Sequence, residues 1–244
     1  MRRALTLLAA LGLLGVLAPA AHAEAPTPSG CAVERAELAW GFKESFRAYI
    51  DGSIANGEWA TADGASYATP TFSWREGTGE VERHDLIGEI SFVGTVRFTG
   101  HGGILDTTIA NPVVRFDAPG RATLLLDVSG DTMSGEPYSQ TAVPFVELDL
   151  SGVGVLSRSG DVIIIDAAPA TLTAEGSAAF PNYEAGSEFD PVDVTFTVGS
   201  DCEVELGEGV IGDATPFVIL GAALAGLLVV GAVVVVIVRA RRRR

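Results

Sequence analysis

Residues 90–98 read Ile90-Ser91-Phe92-Val93-Gly94-Thr95-Val96-Arg97-Phe98. Apolar residues alternate with small or polar ones, the period-two pattern of a strand with one buried face. The style recurs downstream at Val113 to Phe116, Arg121 to Val128, Val143 to Leu150, Asp161 to Ile165, Thr171 to Ala174 and Val192 to Val198. Turn residues punctuate the runs: Gly102-Gly103, Asn111-Pro112, Pro119-Gly120, Ser129-Gly130 and Ser159-Gly160. Short strands at a spacing of roughly 8–12 residues predict a mainly β, antiparallel sandwich-like domain.

One segment upstream breaks this pattern. In FKESFRAYI, residues 42–50, Phe42, Phe46 and Ile50 recur at helical i, i+4 spacing. The expectation is one short helix near the start of the domain, bounded by Gly41 and by Asp51-Gly52. Ser45 and Tyr49 are also i, i+4, so their hydroxyls lie one above the other on a neighbouring face.

The ends differ from the middle. Seven of the 16 bases, Arg2, Arg3, Arg239 and Arg241 to Arg244, are terminal, so the stretch 24–215 holds 9 bases against all 31 acids. That balance argues against nucleic acid, whose phosphates need clustered cations. Residues 1–23 have a basic start, an apolar run from Leu5 to Leu17 and an Ala21-His22-Ala23 cleavage pattern, and read as a signal peptide. Residues 216–238 carry no charge and are long enough to cross a bilayer, and the arginines at 239–244 follow at once. The positive-inside rule then leaves the C-terminus cytoplasmic and the domain outside, on a single span in the cell membrane. Between these ends the expectation is an N-terminal linker at 24–37, the domain at 38–198 and an acidic stalk at 199–215. Cys31 and Cys202 bracket the domain, and in an oxidising compartment they can pair across its two ends.

The search for chemistry proceeds mostly by subtraction. The chain beyond residue 23 has two histidines, His84 and His101, and one lysine, Lys43. Classical zinc sites need several Cys or His ligands. No GxSxG elbow, phosphate loop or dinucleotide fingerprint is present. The carboxylates are scattered, which leaves a surface hydrolase without a supporting motif. What remains is a few placed polar residues. Tyr49 ends the helix, His101 stands in FTGHGG where a strand runs into a glycine turn, and Tyr183 stands in FPNYEAG.

Three segments taken in order carry a resemblance: LAWGFKESFRAYIDGSIANG, GTVRFTGHGGILDTTIANPVVRF and FPNYEAGSEFDPVDVTF. From about Leu38 to Val198 the chain resembles the HtaA domain of actinobacterial haem-uptake proteins. The resemblance implies a non-catalytic, largely β domain that binds ferric haem (ferric protoporphyrin IX) at the cell surface. It implies other haem-relay proteins and an ABC-type haem transporter as partners. Carried over by position, Tyr49 is the axial iron ligand, His101 its hydrogen-bond partner, Ser45 a propionate contact and Tyr183 a second tyrosine at the haem edge. Tyrosinate is a hard anionic ligand suited to Fe(III). Free tyrosine ionises near pH 10, so the phenolate needs the iron and a hydrogen-bond donor to form at neutral pH. Some of Phe46, Phe98, Ile104 and Phe180 are expected to form the apolar walls. Local basic help for the propionates is expected too, and Lys43 and Arg47 are near in sequence, with their directions left open. The alternative is a non-catalytic cell-surface β domain for adhesion or protein interaction that has lost haem binding.

Overall fold

Strand β1, Gly30–Trp40, organises the domain. One edge pairs with β13, Glu188–Val198, in a register running from Val33↔Val198 to Trp40↔Val192. The other edge is shared between two partners. Its first residues, Gly30 to Val33, pair with β5, Thr78–Glu82, and its last, Leu38 to Trp40, pair with β4, Thr71–Trp74. Strand β8, Leu105–Ala118, repeats the device, taking β7, Thr95–Gly100, along its first half and β6, Gly88–Ser91, along its second. This is the computed structural model of the chain, and it describes residues 30–83, 85–131, 135–200, 202, 204 and 206.

The pairings run in a circuit. From β8 they pass to β9, Arg121–Asp131, to β10, Pro137–Asp149, to β12, Val162–Leu172, and to β13 and β1. The β5–β6 ladder, Thr78↔Ser91 to Val81↔Gly88, closes it. Eight antiparallel strands therefore form a closed ring rather than the two faced sheets of a sandwich. Alternation reports that each strand has one buried face; it is silent on whether a sheet closes on itself. The other five strands branch from the ring: β4 on β1 carries β3, Ala65–Ala68; β7 on β8 carries β2, Glu58–Ala62; and β11, Leu156–Ser159, pairs with β12.

The run 90–98 is thus two strands that share one partner. Gly94, at φ 146°, separates them. Opposite it, Asn111-Pro112 lies inside β8 and not in a turn between strands. Asn111 takes φ 48°, the register shifts between Ala110 and Val113, and the Asn111 N–H donates to Gly94 O at 3.0 Å. The bend lets one strand change partners from β7 to β6 without leaving an edge unpaired.

The ring has two unlike ends. At the end where β1 begins, Cys31 and Cys202 form a disulfide with Cα atoms 5.6 Å apart. Val204 and Leu206 are buried beside it, and Arg158 Nη1 donates to Val204 O at 2.7 Å. Residues 30–37, expected as linker, are strand, and part of the expected stalk packs into the core. At the other end, β1 leads through Phe42 into helix α1, Glu44–Asp51. Phe42 is fully buried at φ 65° and contacts the rings of Trp40, Phe46, Phe98, Phe145, Phe180 and Phe189. This left-handed residue ends the strand and delays the helix to Glu44. Each such buried ring is worth roughly 1.5–3 kcal/mol of removed apolar surface, which holds the strained turn in place.

A second short helix, α2, Ala174–Ala179, follows β12 and covers β10. Thr173 caps it, its hydroxyl accepting from Gly176 N at 2.8 Å. The Thr-x-Glu start is a readable N-terminal signal, but six residues are too few to show a period. Residues 171–174, read as a strand, straddle the end of β12 and this cap. Among the described residues no helix is long and apolar enough to cross a membrane. The expected signal peptide, transmembrane helix and arginine tail lie outside the described residues.

Candidate functional site

Cross-strand neighbours point to the same face of a sheet, so the floor of the site follows from the register. Thr107 on β8 faces Gly130 on β9, and Gly130 faces Tyr138 on β10. Leu105 and Gln140 extend the same face by two residues along their strands. Above this floor lies a cleft of about 440 Å³. One wall is α1 and the 3₁₀ turn His101–Gly103, contributing Phe46, Tyr49, His101 and Ile104; the other is the end of α2 and the loop through Phe180 and Asn182.

Tyr49 reaches this cleft because α1 buries Phe46 and Ile50 and leaves the face between them half-open. His101 arrives from the other chain direction. Three successive residues adopt left-handed angles, His101 at φ 53°, Gly102 at 66° and Gly103 at 98°, and they turn β7 back into β8. A histidine there needs outside support. Its N–H donates to Ala55 O at 2.7 Å, which ties the turn to the loop leaving α1. The result is a contact between residues 52 apart in sequence: Tyr49 Oη lies 2.5 Å from His101 Nε2. As a phenol, Tyr49 donates to Nε2; as a phenolate, it accepts from Nε2–H.

Ser45 and Tyr183 meet at the rim beside this pair, their hydroxyl oxygens 3.4 Å apart. Tyr183 is held by stacking on Phe180 at 5.8 Å and 12°, and its carbonyl accepts from Ser177 Oγ at 2.8 Å. Of the four polar residues singled out in the sequence, Tyr49 and His101 line the cleft, and Ser45 and Tyr183 meet at its rim without lining it. Of the expected walls, Phe46, Ile104 and Phe180 line the cleft. Phe98 does not; it is fully buried behind Phe46, ring centroids 5.1 Å apart. Tyr138, Thr107 and Gln140 were missed, because nothing local marks a strand residue as floor until its partners are known.

The direction of Arg47, left open by the sequence, is set by the fold. Arg47 is buried, and its guanidinium donates through Nη2 to Asp190 Oδ2 at 2.7 Å and through Nη1 to Pro70 O at 2.8 Å. It holds α1 to the body of the domain and is turned away from the cleft. Two carboxylates, Asp106 and Asp131, do line it. Arg97 grips Asp106 with both Nε and Nη2, and that bidentate bond lowers the Asp106 carboxyl below its ordinary value despite partial burial. Among the described residues no group of three or more His, Cys, Asp or Glu is arranged to hold a metal. Tyr49 presents an oxygen to this cleft with His101 hydrogen-bonded to it.

The family model for the HtaA domain (Htaa) matches residues 35–195. Among solved structures, the C-terminal domain of HtaA from Corynebacterium glutamicum is similar at 34% identity and a TM-score of 0.63, covering 69% of this chain and 99% of that one. The N-terminal domain of the same protein is similar at 29% identity and a TM-score of 0.55, again covering 69% and 99%. The heme binding protein HtaB from the same organism shares the fold at 23% identity and a TM-score of 0.51, covering 70% and 97%. A comparison with curated proteins finds no match.

Proposed function

This chain belongs to the HtaA family, and from that premise we propose that it is a membrane-anchored haem receptor of the cell surface. It captures ferric haem in the cleft through a Tyr49 phenolate and passes it, chemically unchanged, to other haem-relay proteins and an ABC-type transporter. The observation that carries this reading is the 2.5 Å approach of Tyr49 Oη to His101 Nε2 at the mouth of a largely apolar cleft. Flat apolar ligands bind in such clefts, oriented by a few placed polar groups. Tyrosinate supplies Fe(III) with a hard anionic donor.

The residues divide the work. Tyr49 offers the oxygen. His101 Nε2 lies where it can take the phenol proton as the oxygen turns to iron, and an Nε2–H then donates back to that oxygen. This bond steadies the phenolate, so moving His101 favours reprotonation of Tyr49 and release. Phe46, Ile104 and Phe180 shield the ring faces, and Ser45 and Tyr183 offer hydroxyls to the ligand's carboxylates. The haem-uptake role draws support from the family and from the HtaA neighbours.

The test is a haemin titration of the full chain in detergent, read by visible absorption, with Tyr49→Ala and His101→Ala in parallel. A saturable one-to-one ferric spectrum that Tyr49→Ala abolishes or transforms is expected. Weak, non-saturating uptake, equal in all three proteins, would overturn the reading and return the domain to protein–protein contact at the surface.

A further inference from the structure

We propose that Lys43 is the cation that receives a carboxylate of the bound ligand and so sets which edge of the ligand faces the Ser45–Tyr183 rim. The inference rests on the haem-receptor reading and deepens it. Haem carries two propionates, and the stretch 24–215 has 9 bases against 31 acids. A dianionic edge entering this field needs local positive charge.

The candidates fall away by geometry. No Arg or Lys lines the cleft. Arg47 is buried and engaged by Asp190 and Pro70. Arg97 is engaged by Asp106 through both ends of its guanidinium. Lys43 stands apart from these. It precedes α1, and its Nζ lies 5.0 Å from the ring centre of Tyr183 and 5.2 Å from that of Phe189. Nζ donates to Glu188 O at 2.5 Å, which uses one of its three protons. Among the described residues no ion pair engages it. Two residues on, Ser45 brings its hydroxyl to 3.4 Å from the Tyr183 hydroxyl. An ammonium and two hydroxyls thus converge on one rim.

The other side of the cleft is the opposite in charge. Asp106 and Asp131 both line it, and Arg97 compensates Asp106 first. Asp131 leaves an excess of negative charge there. A ligand with one acidic and one apolar edge therefore enters in one sense, acids toward Lys43 and the apolar edge toward Tyr138 and Asp131.

The experiment compares haemin with its dimethyl ester, in which both propionates are capped, on the full chain in detergent. Wild type, Lys43→Gln and Lys43→Arg are titrated with each. Loss of the ammonium is expected to weaken haemin binding about tenfold, the scale of one charge-assisted hydrogen bond. The Tyr49-dependent absorption spectrum stays unchanged, Lys43→Arg stays near wild type, and all three proteins bind the ester alike. Equal haemin affinity in Lys43→Gln and wild type overturns the proposal. So does an equal loss for haemin and ester, which would make Lys43 a packing residue. A wild type that binds neither compound sinks the receptor reading itself, and this inference with it.

Discussion

Asp190, at the start of β13, reaches across 143 residues to hold Arg47 of α1 at 2.7 Å, and its other carboxylate oxygen accepts from Glu44 N at 2.8 Å. The helix has no capping side chain of its own at Lys43. A distant aspartate supplies that bond and meets the only arginine on the helix. Its backbone adds two more ties: Asp190 N donates to Phe42 O at 3.0 Å, and Asp190 O accepts from Trp40 Nε1 at 2.7 Å. Since Tyr49 rides on α1, Asp190 sets where the phenol stands.

Replacing Asp190 by Ala leaves the Arg47 guanidinium largely buried without its carboxylate and removes the cap. A loss of about 2–3 kcal/mol is expected, between the values for exposed and fully buried pairs. Urea unfolding of the two proteins measures it, and a midpoint equal to wild type would contradict the argument.

Gly57 lies where the loop leaving α1 presses on the base of the His101 turn. A Cβ built there falls 1.9 Å from Thr99 O and 2.9 Å from Gly100 Cα, both backbone. Gly57→Ala must therefore push β2 from β7. The expected outcome is a destabilisation of about 2 kcal/mol or more, with a weaker haemin complex because His101 moves off Tyr49. Unchanged stability and binding in this variant would show that the two segments yield freely.

Acid should loosen the hairpin that carries His101. The bidentate grip of Arg97 lowers the Asp106 carboxyl, against a smaller opposing effect of burial. A carboxyl lowered by folding stabilises the native state above its unfolded value, near pH 4, and that contribution is lost as pH falls through the folded value. Thermal melts of wild type and Asp106→Asn should differ at pH 7 and converge at low pH. Curves that stay parallel down to low pH would assign the pair no role in stability.

The Cys31–Cys202 bridge spans 171 residues and fastens the end of the ring remote from the cleft. Chain-entropy reasoning gives up to about 4–5 kcal/mol for so large a loop. The double variant Cys31→Ser/Cys202→Ser should melt well below wild type, while haemin affinity, measured below the melt, stays the same. Lost affinity in the folded variant would mean that the two ends are coupled.

Much of this molecule was legible in advance, and particular residues show why. Phe46 and Ile50 declare a helix because burial on one face imposes its own period. Val194, Phe196 and Val198 declare a strand for the same reason, and all three are buried. The strands between Glu58 and Glu82 are only four or five residues long, and although their burial alternates, so few residues do not establish a period in the sequence. The direction of Arg47 was not legible, because the carboxylate that holds it, Asp190, is 143 residues away. Cys202, Val204 and Leu206 looked like stalk because three apolar residues among acids form no recognisable element; the disulfide holds the first and Arg158 the second.

By itself the sequence determined the β character, the position of the helix and the acidic field, because each is a property of local spacing or residue type; the four polar residues came, as a site, with the family resemblance. Only the tertiary structure decided that the strands close into a ring, that Asp190 caps α1, and that Tyr49 meets His101 across 52 residues. Those outcomes depend on the pairing of distant strands, which is settled by the summed packing of the whole core and is written in no single segment.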